Sequence, residues 1–145
     1  MTTTEERVRT LSAWRLSTDL LNADLVDAND MPVELRARFR EMFRDIPTRD
    51  AIIAEIASQP ENAKAYEALL QAISEDGDVP TDTLIAAMHY MDGHYDTAEM
   101  RVFDILERED YSLARLLSTG LMMGATGDFL RQSLSFYEPE ALIAG

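Results

Sequence analysis

Apolar residues recur at alternating three- and four-residue steps along nearly the whole chain, the period of helices that bury one stripe. Leu11, Trp14, Thr18, Leu21 and Leu25 form such a seam and predict a first helix. Pro32 suits the first turn of a second, with Leu35, Phe39, Met42, Phe43 and Ile46 on one face and an end before Pro47. Thr48 is the expected cap of a third helix holding Ile52, Ile53 and Ile56. Pro60 opens a fourth, lined by Ala63, Tyr66, Leu70 and Ile73. The stretch SEDGDVPTD, residues 74–82, is acidic and carries Gly77 and Pro80, so it reads as a loop.

Beyond it, Thr81 or Asp82 caps a helix with Leu84, Met88 and Met91 inward, and Gly93 stops it. Asp96 starts a partner helix with Tyr95, Ala98, Val102, Ile105 and Leu106 inward. Another carries Leu113, Leu116, Leu117 and Leu121 and ends at Gly124; a last one, around Phe129, Leu130 and Leu134, runs out near Pro139. No segment alternates as a strand would. The pattern predicts an all-α fold of seven to eight short antiparallel helices stacked as hairpins, since short connections make neighbours antiparallel. Residues 1–145 read as a single helical domain, with 74–82 a natural division into 1–73 and 82–145.

Composition narrows the class. A length of 145 residues suits one domain, and 46% hydrophobic with 28% charged residues suits a globular chain. With no cysteine, disulfides, cysteine–zinc sites and thiol catalysis are all excluded. The first residues, MTTTEERVRTLSAW, lack the basic start and apolar run of a secretory signal, and no window is apolar enough for a membrane span. A cytoplasmic location is the expectation. Net charge is −14, with −2 in residues 1–50 and −12 in residues 51–145. Such acidity disfavours nucleic acid and anionic membranes. Only Lys64 among the thirteen basic residues is not Arg, which fits a GC-rich genome.

The run GHYDTAEMRVFDILERED, Gly93 to Asp110, resembles the turn and second helix of a tetratricopeptide-type repeat, with Gly93, Tyr95 and Ala98 at the repeat's spacing. The hairpin it implies spans about 82–108. Asp82 stands where the repeat has an aromatic, Asp110 where it has a proline, and no second copy follows at the ~34-residue period. More broadly, RDAIIAEIA, LIAAMHYMDGHYDTAEMRVFDIL and YSLARLLSTGL, between Arg49 and about Gly124, are similar to the C-terminal helical part of the bacterial domain-of-unknown-function family numbered 4192. That resemblance covers roughly half the chain. It implies a helical fold and a high-GC bacterial or phage source, and no activity.

Candidate chemistry is sparse. His89, Asp92, His94 and Asp96 lie close in sequence, but a helix stop separates the two histidines and HExxH is absent. The acidic stretches 27–30 and 75–78 lack a calcium-loop pattern. Nucleophile elbow, P-loop and dinucleotide motifs are missing, and Gly120, Gly124 and Gly127 read as helix ends and close-packing sites. No catalytic, metal or cofactor site is expected.

Three surface features remain. Arg36, Arg40 and Arg44 form a stripe, and the first two have no acid at helical spacing, so the acidic half or an acidic partner is expected to meet them. Eleven acids between Glu75 and Asp110 make the opposite feature, with Asp92, Asp96 and Glu99 on one helical face. Met122 and Met123 are adjacent and cannot both point inward, so one is expected at a contact surface. The leading expectation is a non-enzymatic protein–protein interaction module. A homodimer is possible, the Arg flank of one copy meeting the acidic face of another. The alternatives are an acidic regulator or phage-encoded inhibitor of a basic DNA-binding protein, and a small enzyme with a carboxylate/His pocket.

Overall fold

Asp45 starts one of the two most enclosed helices among the described residues. Its carboxylate accepts the backbone N–H of Thr48 at 3.2 Å and the Thr48 hydroxyl at 2.7 Å, so the cap lies three residues before the threonine expected to supply it. The helix that follows, Ile46–Ser58, has Pro47 in its first turn and buries residues on every side, among them Ala51, Ile52, Ile53, Glu55 and Ile56. A helix apolar all round must be surrounded, and it is.

The computed structural model describes residues 1–144. Among them are nine α-helices and no strand: α1 (Thr4–Asn22), α2 (Val33–Phe43), α3 (Ile46–Ser58), α4 (Ala63–Ile73), α5 (Val79–Met91), α6 (Tyr95–Arg108), α7 (Ser112–Met122), α8 (Gly127–Ser135) and α9 (Pro139–Ala144). Short 3-10 turns at Ala28–Asp30 and Pro60–Asn62 precede α2 and α4. None of the described helices is long and apolar enough to cross a membrane.

Two buried helices organise the rest. α3 is packed by α1, α2, α8 and α9, while α5 is packed by α4, α6, α7 and α8, and α3 touches α5. The hairpin of α5 and α6 turns at Gly93, whose φ of +81° is the left-handed region that a residue without Cβ adopts at no cost. Ala98 is fully buried there and lets the two helices approach closely.

The N-terminal helices share this core. The Trp14 ring stacks on Tyr66 at 5.6 Å and meets Phe39 and Phe43 edge-on at 5.9 and 6.2 Å. One cluster of buried side chains runs from Leu11 through Phe43, Leu84 and Leu117 to Ile143. The acidic segment is therefore a loop of residues 74–78 with continuous core beneath it, and α5 begins at Val79, ahead of Thr81 and Asp82.

Several seam positions lie outside the core. Leu25 follows the end of α1 and is 70% exposed, and Ile46 opens α3 on its exposed side. Tyr95, read as inward, is exposed, and so are Leu116 and Phe129 of the last two apolar seams. Pro139 begins α9 instead of ending α8.

Candidate interaction surface

Between Arg115 and Asp128 the chain carries no charged side chain, the longest such run in a sequence that is 28% charged. This run forms the second half of α7 and the turn into α8. Gly124, at φ +76°, ends α7. The Thr126 side chain caps α8 by accepting the Phe129 N–H at 3.1 Å. The turn is fastened to the α5–α6 hairpin from two sides. Tyr90 donates its hydroxyl to the Ala125 carbonyl at 2.7 Å, and the Gly127 N–H donates to the Tyr95 hydroxyl at 2.8 Å.

Fastening the turn this way splays the helices it joins. α7 rests on α6 and α5, whereas α8 rests on α3 and α5. The space left between them is a groove of about 710 Å³ with Leu116, Gly120 and Met123 on one side, Phe129 and Leu134 on the other, and Tyr90 beneath. Its polar lining is confined to neutral hydroxyls such as Thr119, Thr126 and Ser133. Past Leu116 and Leu134 it continues into a second depression of about 490 Å³, which Tyr137 and Leu142 also line, together with the Arg49–Asp50 ion pair. At that end, Phe136 and Tyr137 stand edge to face with centroids 5.3 Å apart. Leu116 is 58% exposed, Phe129 62%, Phe136 81% and Met123 81%. Singly exposed apolar residues are ordinary, but a contiguous set is the mark of a contact surface.

Both methionines of the Met122–Met123 pair are exposed, not one. Met123 lines the groove and Met122 does not.

The arginine stripe is used largely within the molecule. Arg40 donates to the Ile73 carbonyl at 2.7 Å, at the C-terminal end of α4, and pairs with Glu75 at 3.1 Å. Arg44 meets Glu109 at 3.6 Å, and Arg38 meets Glu6 at 2.9 Å. Arg36 makes no ion pair among the described residues, and its enclosed Nε has no hydrogen-bond partner there.

The acidic face is thinned in the same way. Glu75, Asp82, Asp92, Asp104, Glu109 and Asp110 all pair with arginines. Asp92 is held by Arg131 at 3.2 Å, and that arginine also donates to the Ala57 carbonyl at 3.1 Å. Asp96 and Glu99 remain exposed on α6.

The His89 and His94 rings lie 6.1 Å apart between centroids. Burial first, then the Arg101 charge, pull His89 below the usual histidine range and favour its neutral form. Neither histidine lines the groove or its extension. No group of three or more His, Asp or Glu side chains is placed to hold a metal ion among the described residues.

The periodicity of α7 and α8 hid the groove, because it set Leu116 in one apolar seam with the buried Leu113 and Leu117, and Phe129 in another with Leu130 and Leu134. The uncharged run was the available signal. Comparison with known proteins adds no assignment: no protein-family model, curated protein or solved structure gives a significant match to this chain.

Proposed function

We propose that the protein is a non-enzymatic helical interaction module whose partner-binding face is the α7–α8 groove. One observation carries the reading: a charge-free apolar groove, walled by two splayed helices, on a molecule of net charge −14. Grooves of this form receive an apolar ridge or an amphipathic helix, whose side chains fill the space between the walls. Met123 at the rim is unbranched and adapts to more than one shape. The acidic segment between Glu75 and Asp110 is the weaker candidate, because six of its eleven acids already have arginine partners.

The test is photo-cross-linking in a lysate of the source cell, with a benzoylphenylalanine placed at Met123 in one variant and at Glu99 in another. Protein adducts from position 123 and none from 99 support the groove. Adducts from 99 alone transfer the function to the acidic face, and silence at both positions overturns the proposal.

A further inference from the structure

We infer that the occupant of the groove is a second copy of this chain, docked about a two-fold axis so that Phe136 and Tyr137 of each copy seat against the α7–α8 groove of the other. This rests on the groove being a partner-binding face and goes on to name the partner. Three observations bear on a second copy as that partner.

The first is self-complementarity. A two-fold contact requires each copy to offer both the projecting and the receiving part on one face. Here they adjoin. Phe136 projects at 81% exposure against Tyr137. Tyr137 in turn lines the extension of the groove together with Leu116 and Leu134, which also wall its main part.

The second is area. Fully covering an aromatic side chain removes about 150–250 Å² from water, so the exposed parts of Phe129, Phe136 and Tyr137 offer roughly 400 Å². Leu116 and Met123 extend the patch towards the ~800 Å² per partner of a standard stable interface.

The third is charge. Two copies of a −14 protein repel each other in most orientations. Residues 111–137 carry only Arg115, Asp128 and Arg131, a net of +1, while the rest of the chain carries −15. The groove face is therefore where a second copy approaches with least opposition. A dimer formed there has a different salt response from one joining the arginine stripe to the acidic face. That charge-held arrangement would loosen as salt is added. Contact through the groove face tightens, because screening removes repulsion between the two acidic bodies and leaves the apolar contact intact.

The experiment is sedimentation equilibrium of the purified chain at low (~50 mM) and high (~1 M) salt, with Phe136→Glu and Met123→Glu alongside. The expected result is a species of twice the 16.3 kDa chain mass, with a dissociation constant that falls as salt rises. Either substitution should weaken it by about 100-fold, since it places an unpaired charge in a desolvated contact. Both side chains are exposed in the single chain, so the variants should keep the wild-type helical content and unfolding midpoint. A wild-type monomer at both salts overturns the inference. So does a dimer that dissociates at high salt, or one indifferent to both substitutions. A monomeric chain that still cross-links to another protein from position 123 defeats the two-fold dimer alone, whereas silence in both experiments defeats the groove as a binding face.

Discussion

The hydroxyl of Tyr90 donates to the carbonyl of Ala125 at 2.7 Å across 35 positions of sequence. The bond joins the middle of the molecule to the turn that holds the groove open. Tyr95 repeats the attachment one helix later through the Gly127 N–H, and the two rings meet edge to face at 5.7 Å. The shape of the groove thus depends on the backbone of the α7–α8 turn lying against the end of α5.

Gly127 is the point of closest approach. A Cβ there would lie 2.3 Å from the Tyr90 carbonyl oxygen and 2.7 Å from that of Met91, both backbone atoms. Gly127→Ala is expected to cost about 3 kcal/mol, the upper range for overpacking. Gly124→Ala meets open space and bears only the left-handed backbone, costing about 1 kcal/mol. Urea unfolding followed by the emission of Trp14, the sole tryptophan, checks the order of the two.

The arginine stripe yields a graded series. Arg40→Leu removes a charged hydrogen bond from the end of α4, a loss of about 1.5–3 kcal/mol. Arg44→Leu breaks a longer, half-exposed pair with Glu109, worth ~0–1 kcal/mol. Equal losses in the same unfolding assay would contradict the internal use of Arg40.

Arg15 ties three helices together. It grips Glu55 of α3 through two bonds of 2.7 and 3.0 Å and reaches Glu140 of α9 at 2.6 Å. Arg15→Ala leaves the buried Glu55 carboxylate without its cation, which costs about 3–5 kcal/mol in a dry site and about 2–3 kcal/mol here, where Arg15 is part-exposed. Glu55→Gln added to Arg15→Ala should recover part of the loss, and denaturation of the single and double variants measures it.

Two aspartates give opposite responses to acid. Burial alone would raise Asp45, but Arg7 at 2.8 Å and Thr48 hold it below the ordinary value of 3.8. Its contribution is present above that value and is lost as pH falls through the lower folded one. Burial raises Asp78 above 3.8. Folding then favours its protonated form, and stability falls as pH rises from 3.8 through the raised value. Asp45→Asn should therefore flatten the acid loss of stability, while Asp78→Asn should stabilise the protein at neutral pH and change little in strong acid. Urea midpoints between about pH 3 and 7 test both signs.

The helices were legible because hydrophobic spacing identifies residues that share a face. It does not say whether the face is covered. Leu113 and Leu117 of α7 point into the core, while Leu116, at the same kind of spacing, looks out over the groove. The arginines show the converse. Spacing revealed that Arg40 had no acid three or four residues away on its own helix, but its partners, Glu75 and the Ile73 carbonyl, are supplied by the end of α4 and the loop after it. Asp45 displaced Thr48 as the cap because both side chains belong to one hydrogen-bonded turn, which sequence alone marks only to within a few residues.

The enclosure of α3 also sets an order of events in synthesis. Arg131 of α8 reaches the Ala57 carbonyl across 74 positions of sequence, and α9 packs on α3 later still. At ~5–20 residues per second, a ribosome takes about 4–15 s to bridge that interval. Throughout it, the side of α3 that α8 and α9 will cover has no native neighbour. A nascent chain stalled before Gly127 therefore holds that side of α3 open to other unfinished chains and to chaperones.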